Sequence, residues 1–328
     1  MCGIAGIAAL GDRAPPDPAR LRAMCDAMRH RGPDGEGIEV RDGVGLGMRR
    51  LAVIDLEGGR QPMANEDGSV RVGFNGEIYN FRELRSELEA KGHRFATKAD
   101  TEVIVHAYEE YGADFPLRLN GMFAIALHDR ARGRLMLLRD PVGIKPLYWA
   151  MHGGELCWGS ELKVVLASGR VPREIDADAV RAFLAWEYVP APATLLRAVR
   201  KLEPAGRLTV DLAGGTVRTD AYWDVPPPVP APPRRAEEWA EEVDAAVARA
   251  VRRQLVSDVP LGAFLSGGVD SSLMTAGMGP ARTFSIGFAD PTYNELAWSE
   301  RVARHLGVSH TTERIEPDVT ALFERLLP

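Results

Sequence analysis

The sequence predicts two domains of different class: an α+β domain of short strands and helices, then an α/β doubly wound parallel-sheet domain. Three observations carry this prediction. Strand-like runs, turn residues and helix-spaced segments fill residues 1–224. A stiff polyproline-type stretch, Pro226-Pro227-Pro228-Val229-Pro230-Ala231-Pro232-Pro233, marks a linker over 225–235. Beyond it, over 236–328, apolar strand runs alternate with helical stretches, which implies parallel pairing. The 328 residues suffice for two cores.

In chain order, Ile4 to Leu10 reads as a buried strand. Pro18 to Met28 reads as a helix capped by Asp17, with Leu21, Met24, Cys25 and Met28 inward. His30-Arg31-Gly32-Pro33-Asp34-Gly35-Glu36-Gly37 is a charged, glycine-rich connection. Asp42-Gly43 signals a hairpin turn. Arg49 to Asp55 is a basic pair leading into a strand, where an arginine can clamp a carboxylate. Val70 to Phe74 alternates as a strand and reaches Asn75-Gly76, whose simplest reading is a turn. Phe81 to Lys91 and Asp100 to Tyr111 are helices, the first ended by Gly92 and the second offered Asp100 as N-cap. Met122–His128, Arg134–Asp140, Pro146–Trp149 and Glu155–Trp158 read as a β-meander. Helices follow over Glu161–Ala167 and Asp176–Trp186. Behind the linker, Ala236 to Leu255 is a helix with Val243, Ala246, Val247 and Ala250 on its apolar face. Strand runs Leu261–Leu265, Thr283–Phe288 and Thr311–Ile315 come next, with a helix over Glu295–Leu306.

Composition excludes several classes of partner. Lys plus Arg total 40 against 46 Asp plus Glu, a net charge of −6, which disfavours nucleic acid. No apolar run approaches the ~20 residues of a membrane helix, and no secretory signal pattern opens the chain. Three cysteines without framework spacing fit a reducing cytoplasm, with Cys25 and Cys157 read as small core residues. The histidines show no HExxH-type spacing, so no metal site is expected.

Two stretches carry chemistry. Cys2 follows the initiator methionine. Removal of Met1 would leave a thiol and a free α-amine on one Cα, a nucleophile with its own base. Their ordinary pKa values, ~8 and ~8.5, make proton exchange nearly thermoneutral. Ser266-Gly267-Gly268-Val269-Asp270-Ser271-Ser272 lies between a strand and a helix. Outward backbone N–H groups and a helix N-terminus there suit a phosphate or pyrophosphate. The loop lacks the lysine of a Walker P-loop.

With these motifs the chain resembles the glutamine-hydrolysing asparagine synthetase family over essentially its whole length. The resemblance rests on Met1-Cys2-Gly3-Ile4-Ala5-Gly6, Arg29-His30-Arg31-Gly32-Pro33-Asp34, Arg50-Leu51, and Phe74-Asn75-Gly76-Glu77-Ile78-Tyr79-Asn80. It continues in Asp100-Thr101-Glu102, Gly143-Ile144-Lys145-Pro146-Leu147-Tyr148, Ser266 to Ser272, and Phe284 to Phe288. It implies an N-terminal-nucleophile hydrolase domain, an αββα sandwich, followed by an ATP-pyrophosphatase-type synthetase domain. It further implies Cys2 as nucleophile, with Asn75 and Gly76 as oxyanion donors. Glutamine would be held by Arg50, Val53, Glu77 and Asp100: Arg50 on its α-carboxylate, Asp100 on its α-amine. ATP would lie on Leu265, Ser266, Gly267, Gly268, Asp270, Ser271, Ser272 and Ile286, accompanied by Mg²⁺. Ammonia would travel an interior path to an acyl-adenylate of aspartate. Amidation of another carboxylate, or a chain retaining only glutaminase or binding function, are the alternatives. The resemblance leaves room for a homodimer.

Three departures stand out. Met48 replaces a usual histidine, Pro141-Val142 stands where Arg-Phe is common, and the chain stops at Leu327-Pro328, well before family members do. The expectation is a truncated second domain, because three parallel strands with a free edge make a poor autonomous sheet.

Overall fold

The computed structural model describes residues 1–11, 14–229, 232–316 and 318–326. Pro230 and Ala231 of the expected linker, and the Leu327-Pro328 end, lie outside the described residues. The chain divides into two compact units, Met1–Pro228 and Val229–Pro328.

The first unit runs β1 (Gly3–Ala9), α1 (Pro18–Asp26), β2 (Gly35–Arg41), β3 (Val44–Arg50), β4 (Met63–Ala64), β5 (Val70–Ile78), α2 (Phe81–Ala90) and α3 (Glu102–Tyr111). It continues with β6 (Gly121–Asp129), β7 (Arg134–Arg139), β8 (Tyr148–His152), β9 (Glu155–Gly159), α4 (Leu162–Leu166), α5 (Ala177–Trp186), β10 (Arg200–Lys201), β11 (Gly206–Asp211) and β12 (Thr216–Ala221). Two six-stranded sheets result, in the orders β10-β8-β9-β1-β3-β2 and β12-β11-β7-β6-β5-β4. The period-2 alternation of side chains along β1 explains the layering. Ile4 and Ala8 enter the core between the sheets, with Leu46, Ala124, Ala126, Leu137 and Leu208. Ala5 and Ile7 face outward onto Leu21, Met24 and Cys25 of α1 and Val164 and Val165 of α4. Helices α2 and α3 belong to the other side, α3 against β5. This is the expected αββα sandwich.

Several local expectations change. The run read as one meander is two hairpins in different sheets: β6–β7 in one and β8–β9 in the other. The chain crosses over in the 140–147 turn, which the buried Asp140 carboxylate organises by accepting from the N–H groups of Phe123 (3.1 Å), Ile144 (2.8 Å) and Lys145 (2.9 Å). Asn75-Gly76 is no turn, because β5 runs straight through it, with Gly76 paired to Phe123 of β6. A Cβ on Gly76 would lie 2.1 Å from the Met122 carbonyl, so the close approach of β6 requires glycine there. Asp42-Gly43 is the expected hairpin, both residues at positive φ, 49° and 78°. The strand expected through Asp55 ends at Arg50. The N-cap position of α3 is Thr101, not Asp100.

The second unit contains α6 (Ala236–Gln254), β13 (Gly262–Phe264), α7 (Val269–Met278), β14 (Arg282–Phe288), α8 (Leu296–Leu306), β15 (Ser309–Ile315) and α9 (Val319–Leu326). The three strands pair in parallel in the order β13-β14-β15. The apolar face expected for α6 is largely open, with Val243 58% exposed, and the residue buried is Val251, seated on Gly277. Strand β14 alternates cleanly: Thr283, Ser285 and Gly287 point inward, while Arg282, Phe284 and Ile286 face outward.

Candidate active site

Strand β1 starts at Gly3, so Cys2 sits at its very end. The half-buried Cys2 Sγ accepts from the Leu51 N–H at 3.4 Å and lies 3.5 Å from the Leu51 carbonyl. Burial pushes its thiol pKa up, since desolvation penalises the thiolate. In the full chain the α-amine belongs to Met1, and burial lowers its pKa. A free amine on Cys2 itself forms only when Met1 is removed.

The glycine-rich connection fixes this geometry. Arg31 Nε donates to the Cys2 carbonyl at 2.9 Å, and its Nη1 bonds Glu161 at 2.9 Å. The Asp34 N–H donates to the Arg50 carbonyl at 3.0 Å, and Asp34 Oδ2 accepts from Ala52 N–H at 3.0 Å. The segment Arg50–Ala52 facing the thiol is therefore pinned from outside.

A cavity of about 20 Å³ brings together Cys2, Arg50, Val53, Gly76, Glu77 and Asp100, six residues from four separate stretches of the sequence. That volume holds about one water. Gln61 and Thr101 also line it, and Gln61 Nε2 donates to Thr101 Oγ1 at 3.2 Å. Arg50 and Gln61 further border a larger cavity of about 590 Å³, together with Met48. Arg50 donates to the carbonyls of Ile54 (2.9 Å), Asp55 (2.7 Å) and Leu56 (3.0 Å). Its guanidinium thus shapes the loop after β3, and those bonds explain why the strand stops there. Both Nη2 hydrogens are thereby taken, so Nε–H and one Nη1–H remain on different edges of the guanidinium, each able to make a single contact.

Asn75 is not among the residues lining the small cavity. Its side chain is 1% exposed, and both its amide atoms lack a hydrogen-bond partner. A buried polar group left unpaired costs about 1–3 kcal/mol, and a ligand oxygen accepting from Nδ2 would recover the donor's share. Asp100 is 5% exposed, and its Oδ2 accepts from Ile78 N–H at 2.9 Å. Burial raises the pKa of both Asp100 and Glu77, and the charge of Asp100 raises Glu77 further. Together they form an acidic pocket suited to a cation.

Lys145 is the residue that pattern reading passed over. It sits in the quoted Gly143–Tyr148 motif, but lysine there carries no periodic signal. Asp140 ties its backbone to Phe123, the partner of Gly76, and so delivers it to the nucleophile's end of the sheets. The side chain is buried, and burial lowers its pKa against the opposing pull of Glu77, while Cys2 is also close enough to act on it. Gln61 carried no pattern signal either.

In the second unit, Ser266–Ser272 forms the expected strand-to-helix turn. Ser266 and Ser271 hydroxyls share a hydrogen bond of 2.9 Å, and Ser266 Oγ accepts from Gly268 N–H at 3.2 Å. Gly267 has φ +84°, and a Cβ on it would lie 2.6 Å from the Trp298 backbone. Gly268 caps α7 without a side chain, leaving the first-turn N–H groups open. A cavity of about 150 Å³ joins Leu265, Ser266 and Ile286, adding Glu295 and Ser299. Gly267, Gly268, Asp270, Ser271 and Ser272 do not line it.

A thiol at the first strand of an αββα sandwich, sharing a cavity with two carboxylates, fits an amidotransferase of the N-terminal-nucleophile class. The family model described as glutamine amidotransferase domain matches residues 1–223, and the one described as asparagine synthase matches 242–327. The chain belongs to the glutamine amidotransferase family, in the branch that joins this domain to an asparagine synthase domain. It is 36% identical over 327 residues to asparagine synthetase [glutamine-hydrolyzing] 1 of Bacillus subtilis, covering 97% of this chain and 51% of that one. It is 34% identical over 337 residues to a putative asparagine synthetase of Methanocaldococcus jannaschii, covering 94% and 64%. The chain thus spans about half to two thirds of the length of these relatives. A solved glutamine phosphoribosylpyrophosphate amidotransferase from B. subtilis shares the fold at TM-score 0.50 and 16% identity, covering 100% of this chain and 71% of that one. Among the described residues, no helix is long and apolar enough to cross a membrane.

Proposed function

We propose that the first unit hydrolyses the side-chain amide of glutamine at Cys2, and that the ammonia supports ATP-dependent amidation of a carboxylate, aspartate being the acceptor. The observation that carries the glutaminase reading is the convergence of Cys2, Gly76, Glu77 and Asp100 on one cavity.

After loss of Met1, the Cys2 amine takes the thiol proton and the sulfur attacks the amide carbon. The oxyanion is met by Asn75 Nδ2 and Gly76 N–H, donors of a kind each worth about 3–4 kcal/mol at the barrier. The nitrogen leaves as ammonia with the proton returned by the amine, and water then releases glutamate from the thioester. Glu77 and Asp100 hold the substrate ammonium, whose charge relieves the repulsion between them. Arg50 holds the α-carboxylate, through one remaining donor or, once the loop after it moves, through a fork that includes Nη2. Two anchors of opposite sign fix the amide against the sulfur. The cavity of about 20 Å³ must open for this, and the loop after Arg50, bordering the larger cavity, is the segment that gives way.

In the second unit the open N–H groups of α7 and the hydroxyls of Ser266, Ser271 and Ser272 suit the phosphates of ATP. Mg²⁺ would arrive with the nucleotide. The homologues' names favour aspartate as acceptor. The test is glutamate release from glutamine: Cys2→Ala abolishes it, and release that persists in that variant overturns the assignment.

A further inference from the structure

A second cluster of ligand-type side chains lies away from the small cavity, on helix α3 and the loops beside it. His106 and Glu109 are three residues apart on α3 and share a face. His93 follows α2, and Glu66 lies between β4 and β5. The ligand atoms of His93, His106 and Glu109 all lie within 4.8 Å of one another. His106 Nδ1 is 3.0 Å from Glu109 Oε2 and 3.8 Å from Glu66 Oε2, and His93 Nδ1 is 3.7 Å from the same Glu109 oxygen. A tetrahedral site with bonds of ~2.0–2.1 Å has ligand–ligand edges of roughly 3.3 Å. The three separations bracket that value.

The orientation of each group supports the same reading. Glu109 Oε1 is held by Asn65 Nδ2 at 2.6 Å, which leaves Oε2 to the imidazoles. Glu66 Oε1 is held by Arg94 N–H at 3.2 Å, which leaves its Oε2 to turn inward. Behind the rings, His106 Nε2 lies 3.8 Å from Glu102 Oε1, and His93 Nε2 lies 3.4 Å from Glu110 Oε2. Glu102 is itself fixed by the N–H groups of Ala96 and Thr97, each at 2.7 Å. Both histidines therefore present one nitrogen to a common point and the other to a carboxylate, the outer-shell arrangement of metal-ligating histidines. Their side chains are 1% (His106) and 16% (His93) exposed, so the point is sheltered but reachable.

We propose that His93, His106 and Glu109 bind a divalent transition metal of the zinc class, with Glu66, which lies outside their 4.8 Å cluster but 3.8 Å from His106 Nδ1, turning in as the fourth ligand. Two imidazoles and two carboxylates would neutralise the ion and close its coordination, which makes the site structural. Helix α3 begins two residues after Asp100. A metal tying α3 to the β4–β5 loop therefore steadies the segment that carries that carboxylate. No sequence pattern points to it, because the four ligands are scattered from Glu66 to Glu109 without motif spacing.

The test uses the full chain, stripped with chelator and titrated with cobalt chloride and with zinc chloride. The expected result is one equivalent of Co²⁺ with the intense visible bands of tetrahedral nitrogen and oxygen ligation. Saturating zinc, at a hundredfold excess over its Kd, should raise Tm by roughly 5–10 °C. His93→Gln and Glu109→Gln, both at partly exposed side chains, should each weaken binding at least tenfold and remove the Tm response. Three results would overturn the proposal: no stoichiometric binding by the parent chain, a cobalt–thiolate band marking Cys2 as the ligand, or binding unchanged in both variants.

Discussion

Replacing Asp100 by asparagine should stabilise the first unit and disable glutamine use. The carboxylate is 5% exposed, and its pKa is raised from an ordinary 3.8 to about 6, burial being the largest cause. A group whose folded pKa is raised holds its proton more tightly in the folded state. Its contribution is therefore most favourable below the unfolded pKa, and it is lost as pH rises through the folded value. Between about pH 4 and 6 the wild-type chain loses stability on this account, and above 6 the loss is complete. Two pKa units correspond to about 3 kcal/mol. The asparagine side chain would still accept from the Ile78 N–H through its oxygen, but its amide nitrogen would be a buried unpaired donor costing about 1–3 kcal/mol. The net gain at pH 7.5 is up to about 2 kcal/mol, or up to roughly 8 °C in Tm for a unit of this size. At pH 5 the electrostatic part falls to about half, so the variant should lose its advantage. Meanwhile an amide cannot grip an ammonium as a carboxylate does. The loss of a charge-assisted bond worth about 1.5–3 kcal/mol raises KM roughly 10- to 150-fold. Thermal melts at the two pH values and glutamate-release kinetics check both halves. A Tm lowered equally at both pH values, or an unchanged KM, refutes the reasoning.

Gly76→Ala places a methyl 2.1 Å from the Met122 carbonyl. It should cost about 1–3 kcal/mol in stability, read by urea melts, and lower kcat by about 10²–10³ as the N–H is pushed aside. Lys145→Met removes a buried cation close to Cys2 and Glu77. It should move the pH dependence of Cys2 alkylation by iodoacetamide upward by roughly one pH unit, because the thiolate loses a stabilising charge. Asp270→Ala, in the first turn of α7, should weaken binding of Mg-ATP to the full chain, measured calorimetrically. An unchanged affinity removes that residue from the nucleotide site.

Local chemistry was legible in the residues themselves. The cap of α1 at Asp17, the Asp42-Gly43 turn, and the apolar run of β1 all follow from short-range sterics, hydrogen bonding and hydrophobicity. So does the thiol placed where removal of one residue would expose an amine. Patterns of this kind need only neighbours a few positions away. What they could not decide was pairing across the chain. Asn75-Gly76 has turn composition, yet β6 on one side draws it into a strand, where the backbone approach excludes any side chain at position 76. Asp100 has the composition of a helix cap, but Ile78, 22 positions earlier, claims its carboxylate. The four runs from Met122 to Trp158 look alike locally, and only the buried Asp140 turn sends two of them to one sheet and two to the other. Lys145, Gln61 and the His93–His106–Glu109 cluster gain their meaning from that same long-range packing. The residue types and their propensities were set by the chain. Which of them stand together, and with what charge, was set by burial, because only the folded sheets strip the water that would otherwise screen them.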